Sequence, residues 1–501
     1  MCRPNIIIIN VESVDGRKMG YMGKEVMKDA TPNIDELANS GVTFKNTYSN
    51  SALCVPSRSS FWSGEYVHNC EAWNNFSGLS EDDRTFKEEL ERIGYRTKLI
   101  GPADYLSGRH SFRARVGAWT RGANIRRPIY RMRAPEVLDE GSNFRGGAET
   151  NIPSEPETRS QGFLKDWNSV YKTMDWLREG KQSESPFMLY LTTNLVHPPF
   201  QTKKKYLNNI KTRAVQVPKS DHYDHPVLKY QRIAKNVDHS VPTDLTIKIR
   251  AIYFAMISMV DEMVGQLLEG LDRLNLKEST YIIFMGDHGE MAMEHAQIRK
   301  QSPYESSIRV PLIISGPNLK AGQRISDLVS LVDLFPTIMD FVKLDKPSNL
   351  DGKSLVPLIE GKENGHREWV LSEFHGDTSN TGWFMVRKDQ WKYIKYVNYA
   401  PLLFNVEENP EETYNRADEN PDILRNMNAL LSDIVDFKKI DEKAKTQDKK
   451  KFRVWREKHK QKGNYQKLMR EIYSGWDNLS IEETYPWTDQ NEAKIEKWLN
   501  S

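Results

Sequence analysis

Apolar runs of strand length alternate with stretches of helical periodicity along this chain. Residues 5–11 contain Ile6-Ile7-Ile8-Ile9 and end at Glu12 before a loop with glycine, which predicts a buried strand. The same pattern recurs at residues 95–100, 187–191 and 281–285. These runs end at Gly101-Pro102, at Asn194 to His197, and at Gly286-Asp287-His288-Gly289. Between the last two, Ile249, Ile252, Ile257, Val260, Val264, Leu267 and Leu271 recur on one face and predict a core-facing helix over 246–271. Buried strands alternating with amphipathic helices predict an α/β fold, a mainly parallel sheet flanked by helices. No apolar run approaches the roughly 20 residues that a bilayer span needs.

Two stretches depart from this rhythm. Residues 201–245 are polar, rich in Lys and His and poorly periodic, which predicts a long loop or insertion near the functional site. The composition changes again near 361–367. After it, residues 369–374, 383–387 and 391–396 read as short strands of a smaller antiparallel sheet. The expected division is a large domain over residues 1–362 and a C-terminal α+β subdomain over 363–501. From Phe437 the tail is charged and helical in pattern, with Trp455, Trp476, Trp487 and Trp498 as anchors onto the body.

At 501 residues the chain is long enough for both units, and 71 basic against 69 acidic residues give a net charge of only +2. That excludes a dedicated nucleic-acid binder but leaves room for local clusters that meet an anionic substrate. Arginines at 109, 113, 115, 121, 126, 127, 131 and 133 form one such stretch. Its default reading is a solvated, partly paired surface; its sharper one is a track for a polyanionic glycan, weakening with salt. Three cysteines rule out a disulfide framework and leave a Cys2–Cys70 pairing open. Met1-Cys2-Arg3-Pro4 leads straight into a strand without a signal-peptide pattern, implying a cytosolic protein or a trimmed N-terminus. The sequons Asn75-Phe76-Ser77 and Asn478-Leu479-Ser480 favour a secretory history instead.

The strand ends carry the chemistry. In open α/β sheets ligands gather beyond the carboxyl ends of the strands. Three of those ends hold Glu12, His197 and the pair Asp287-His288, a clustering of acid–base and metal-ligand types. A lone cysteine such as Cys54 is usually a small core residue. Its setting, Cys54-Val55-Pro56-Ser57-Arg58, changes that reading, because Cys-x-Pro-Ser-Arg resembles the signature of type I sulfatases. Thr31-Pro32-Asn33-Ile34-Asp35, Gly94-Tyr95-Arg96-Thr97, Asp287-His288-Gly289-Glu290 and Val332-Asp333-Leu334-Phe335-Pro336-Thr337 recur in that family in this order. Trp73-Asn74-Asn75-Phe76, Asp104-Tyr105 and Ser372-Glu373-Phe374-His375-Gly376 resemble one arylsulfatase subgroup.

The resemblance implies an alkaline-phosphatase-like fold and hydrolysis of a sulfate ester by a formylglycine that a maturation enzyme, the formylglycine-generating enzyme, makes from Cys54. For the subgroup it further implies a lysosomal or secreted glycoprotein removing 2-O-sulfate from glucuronate in glycosaminoglycans. A hydrated aldehyde supplies one hydroxyl to attack sulfur and a second to expel sulfate. Glu12, Asp287, His288 and residue 54 would hold one divalent cation, and oxygen-rich ligation suits Ca²⁺ better than zinc. Asp15 is an alternative ligand. Arg58 would pair with the diol and a sulfate oxygen, Lys300 would bind sulfate, and His197 would bind the substrate and protonate the leaving group. Asp104 would read the sugar or orient Arg58.

Two positions depart from the family pattern. The first strand ends in Glu12-Ser13 where the family usually has two aspartates. Pro102 stands where the family has a lysine that contacts sulfate, and Lys98 and Arg109 are the nearby cations that could replace it. These departures keep two competitors in view, a phosphonate or phosphodiester hydrolase of the same superfamily and a pseudo-sulfatase that binds sulfated glycans without turnover.

Overall fold

The main sheet is built around the strand that opens the chain. In the computed structural model, which describes residues 3–107, 112–125, 135–138, 162–180, 183–362, 366–473 and 487–501, eight strands form this sheet: β1 (Asn5–Val11), β2 (Val42–Tyr48), β3 (Arg96–Ile100), β4 (Phe187–Thr193), β5 (Thr280–Gly286), β6 (Arg309–Val310), β7 (Leu312–Ser315) and β8 (Gln323–Ser330). The order is β8-β2-β7-β5-β1-β4-β3, with β6 paired to β2. β3, β4, β1 and β5 run parallel, whereas β7 is antiparallel to both β5 and β2. The sheet is therefore mixed, and its parallel half carries the four strands read from the sequence.

β1 is buried on both faces, which explains its unbroken apolar run. Ile7 and Ile9 point into one core with the long helix, while Ile6 and Ile8 point into another with Phe61, Trp62 and Phe335. That helix, Thr243–Arg273, extends the expected 246–271 at both ends. By length and composition alone it is apolar enough to cross a membrane, but 78% of its most apolar window is buried in the protein, as befits a core helix.

Residues 201–245 are more ordered than their polar composition suggests. They hold a short strand at Gln201–Lys203 and helices at Lys204–Asn208 and Pro226–Ala234. The second of these helices starts at Pro226 behind His225, whose side chain accepts from the Val227 amide. A four-stranded antiparallel sheet follows, β9 (Trp369–Phe374), β10 (Trp383–Lys388), β11 (Trp391–Tyr396) and β12 (Leu402–Asn405). It is tied to the large sheet by a buried ion cluster: Lys392 on β11 lies 3.1 Å from Glu305 and 2.6 Å from Glu412. The tail is helical, with a helix over Phe437–Gln461. Trp455, Trp487 and Trp498 are buried in one cluster with Trp119, and Trp476 lies outside the described residues.

Candidate active site

Strand register brings the expected residues together. Val11 pairs with Thr193 on one side and Gly286 on the other, so β4, β1 and β5 end level. Glu12, the turn 194–197 and Asp287-His288 thus emerge side by side from the carboxyl edge of the sheet. The amide of Val196 donates to the carbonyl of Glu12 at 2.7 Å, which fixes the His197 turn against the end of β1.

Cys54 enters from a short helix, Cys54–Ser63, every residue of which is buried. Leu53 before it is extended and offers no side-chain cap; Asn75 instead accepts from the Val55 amide at 3.1 Å. Gly64 closes the helix with φ +74, a left-handed conformation that favours glycine. Trp62 stacks on Phe86 and Tyr105 with ring centroids at 4.2 and 4.7 Å, which anchors the helix in the core. Its first residue is thereby presented to the strand ends. Cys54 Sγ lies 3.3 Å from Glu12 Oε1 and 3.2 Å from His288 Nε2.

A positively charged frame surrounds this point. Arg58, one turn along the helix, is fully buried and donates from Nε to Asp287 Oδ2 at 2.8 Å. Its other nitrogens lie 3.8 Å from Glu12, 3.6 Å from Asp104 and 2.5 Å from the Pro102 carbonyl. Pro102 therefore contributes a carbonyl that orients Arg58, not a cation. Lys300 Nζ and His197 Nε2 each approach Glu12 Oε1 at 3.8 Å. His197 Nδ1 sits 2.6 Å from the Pro198 carbonyl, so an Nδ1 proton is held there and Nε2 faces the site.

The electrostatics distinguish the groups. Burial pushes the Cys54 thiol far above its usual range, and Lys300 only partly offsets this. A thiol held protonated is a weak nucleophile. Burial also raises the Glu12 carboxyl, outweighing Lys300 and Arg58. At Asp287 burial is the largest influence too, but His288, Arg58 and Lys300 together overcome it and the carboxyl lies below its ordinary value. Burial pulls His288 down to about 4 despite Asp287, so the imidazole is neutral. Its Nδ1 lies 3.0 Å from the Gly289 carbonyl, leaving the Nε2 lone pair directed at Cys54.

Glu12, Cys54 and His288 offer one ligand atom each within 4.8 Å of one another, an arrangement able to hold a metal ion. The donors fit a divalent cation: a neutral imidazole with its second nitrogen anchored, and a carboxyl whose proton affinity burial raises. Asp287 stands beside this trio, 3.7 Å from His288 Nε2, with its oxygens engaged by Arg58 and by the Ser13 and His288 amides. Asp15 lies elsewhere: it is bound to Arg17 in a buried ion cluster with Glu294. Lys98 is exposed on β3, and Arg109 lies outside the described residues.

Of the arginine stretch, only the side chains of Arg115 and Arg121 lie among the described residues. Arg121 is buried against Asp441 and Asp448, and Arg115 lies over the Phe76 ring; Arg126, Arg127, Arg131 and Arg133 lie outside the described residues. Other contributors escaped sequence reasoning. Ser49 and Ser57 both donate at 2.6 Å to the carbonyl of Asp287 and fix the strand end. Glu290 accepts from the amides of Ala292 and Arg299, closing the loop that delivers Lys300. Ala292, Met293, His295, Ala296, Arg299 and Gln301 in that loop all have positive φ.

Residues 4–344 match the sulfatase family, and residues 293–438 match the C-terminal region described for N-sulphoglucosamine sulphohydrolase. The chain belongs to the sulfatase family. Among its relatives is arylsulfatase K of Canis lupus familiaris, 34% identical across 99% of this chain and 93% of the relative. The Homo sapiens protein of that name is 35% identical across 91% and 86%. Two solved structures share the fold at a TM-score of 0.66. One is a phosphonate monoester hydrolase of Agrobacterium radiobacter, 23% identical over 86% of this chain and 95% of that one. The other is a 2-O GAG sulfatase, 22% identical over 90% and 94%. This sulfatase is accordingly a sulfuric ester hydrolase with an alkaline-phosphatase-like architecture.

Proposed function

We propose that the enzyme removes 2-O-sulfate from glucuronate in glycosaminoglycans, using a formylglycine formed from Cys54 and a bound Ca²⁺. The observation that carries this reading is the setting of Cys54. A thiol held protonated between Glu12 and His288, ringed by Arg58 and Lys300, suits a modified residue better than a thiolate. The substrate, and the lysosome or the secretory route as compartment, are what the arylsulfatase resemblance of the sequence motifs implies.

Glu12, His288, residue 54 and Asp287 would hold the ion, which supplies positive charge against sulfate oxygens and acidifies a hydroxyl of residue 54. The hydrated aldehyde at residue 54 offers two hydroxyls. One forms a bond to sulfur as the bond from sulfur to the sugar oxygen breaks. His197 Nε2 delivers the proton that the sugar oxygen needs. The second hydroxyl then loses its proton, the bond between residue 54 carbon and the sulfate oxygen breaks, and the aldehyde returns as sulfate leaves. Water added to the aldehyde is thus the only reagent consumed besides the ester. Arg58 and Lys300 stabilise the sulfate oxygens throughout, and Asp287 holds Arg58 in place. Asp104, beside Arg58, is positioned to meet the sugar.

Turnover of an aryl sulfate, an aryl phosphodiester and a 2-O-sulfated glucuronide by parent, Cys54→Ala and His197→Gln proteins tests the reading. Sulfate release should vanish in Cys54→Ala. In His197→Gln it should fall by roughly 10²–10⁴-fold on the sugar ester and far less on the aryl ester, whose leaving group needs no proton. Faster hydrolysis of the phosphodiester than of either sulfate would assign the site to the phosphonate or phosphodiester class instead.

A further inference from the structure

We propose that a groove on the C-terminal helix Phe437–Gln461 is a second binding site, for a polyanionic sulfated glycan chain, apart from the catalytic centre. The choice of ligand rests on the sulfated-carbohydrate reading above. The groove encloses about 650 Å³ and is lined by Trp119, Lys450, Lys451, Val454, Trp455 and Lys458. No carboxylate lines it among the described residues.

The helix has eleven Lys and Arg against four Asp and Glu. Part of that charge is paired within the protein or at its surface: Lys443 pairs with Glu71, Lys445 with Asp441, and Arg456 with Glu492 and Glu496. Lys450 and Lys458 are different. Both are exposed, both border the groove, and neither makes an ion pair among the described residues. Between them Val454 is 69% exposed, the most exposed large hydrophobic residue described. Trp119 and Trp455 form an aromatic wall beside it. A solvated basic helix face needs no exposed valine beside aromatic rings. An apolar floor and flanking ammonium groups match a sulfated sugar chain. Its ring faces pack on aliphatic and aromatic carbon, and its sulfates meet lysine.

The groove also communicates with the active site through one loop. Lys451 donates to Ser77 at 2.5 Å, Asn74 donates to Asp448 at 3.5 Å, and Asn75 between them caps the Cys54 helix. A chain held on the helix would raise the effective concentration of its sulfated ends near that helix.

The test is binding of a fluorescein-labelled heparin dodecasaccharide to full-length protein carrying Cys54→Ala, which prevents turnover. Lys450→Glu with Lys458→Glu should raise Kd about tenfold or more at physiological salt and make log Kd less steep against log salt. Lys450→Arg with Lys458→Arg should stay within about twofold of the parent, since it keeps both charges. Unchanged thermal melting of both double variants shows that folding is not the cause. Equal affinity of the Glu double variant and the parent would overturn the proposal. So would a single-stranded oligothymidine that competes as well as heparin, because the groove would then read charge without sugar. Aryl sulfate turnover by the parent separates the two readings. If it is absent while heparin binding follows this pattern, the catalytic proposal fails and the groove stands. If sulfate is released but heparin ignores Lys450 and Lys458, the groove alone fails.

Discussion

At the scale of single residues, the proposed site pairs a candidate nucleophile at Cys54 with Pro102 in place of a cation. Arg58 occupies the charge-bearing role beside residue 54, but Pro102 gives only its carbonyl to Arg58. Restoring a cation by Pro102→Lys should raise kcat/KM on an aryl sulfate by about tenfold to a hundredfold, if the side chain reaches a sulfate oxygen. Steady-state kinetics check this, and an unchanged or lower kcat/KM would show that the site is already complete. How much could be read from the sequence follows from how local each signal is. Cys54 and Arg58 lie in one five-residue run, and Asp287-His288 follow directly on an apolar strand, so both were legible. Lys300 was legible only by resemblance, because it hangs on a loop with six left-handed residues and no periodicity. Asp15 was a reasonable rival to Glu12 until its ion pair with Arg17 was seen. Ser49 and Ser57 left no signal, since a serine hydroxyl aimed at a carbonyl looks like any other serine.

At the scale of elements, continuous apolar runs identified the parallel strands, because a strand buried on both faces needs no alternation. The other half of the large sheet was missed for the opposite reason. Val42–Tyr48 carries Thr43, Lys45, Asn46 and Thr47 among its apolar residues, and Leu312–Ser315 is only four residues long. The small sheet was found from its tryptophan-led strands, yet its attachment was invisible. Lys392, fully buried, bridges Glu305 and Glu412. Burial alone would raise Glu305, but Lys392, Arg309 and Arg387 hold it far below the usual carboxylate range. Lys392→Met leaves buried Glu412 without its lysine and Glu305 with Arg309 as its remaining ion pair, and should lower stability by about 3–5 kcal/mol. Chemical denaturation measures it, and a loss under about 1 kcal/mol would mean that the cluster is not what joins the two sheets.

At the scale of the whole molecule, the tail is fastened to the body by two carboxylates sharing one guanidinium. Asp441 and Asp448 both contact Arg121, and Asp441 also has Lys445. Burial raises both acids, but at Asp441 the two cations win and hold it at about 2, whereas Asp448 stays raised at about 7. The sign follows from proton binding. Between pH 4 and 7 folded Asp448 keeps a proton that the unfolded chain has lost, so its contribution to stability falls as pH rises through that window. Asp448→Asn cannot ionise. It should match the parent near pH 4 and exceed it above pH 7, by at most about 4 kcal/mol. Thermal melting across pH checks this, and a variant less stable than the parent at pH 8 would show that Asp448 is ionised and paired. Tail docking favoured by acid accords with the proposed lysosomal setting.

The proposed chemistry rests on the conversion of Cys54. The most direct measurement is peptide mass spectrometry across Cys54 in protein purified from a cell with the maturation enzyme, on a preparation that releases sulfate. The peptide should carry an aldehyde in place of CH₂SH, with its mass lowered accordingly, and be captured by a hydrazide reagent. An active preparation whose Cys54 peptide holds only the free thiol would contradict it.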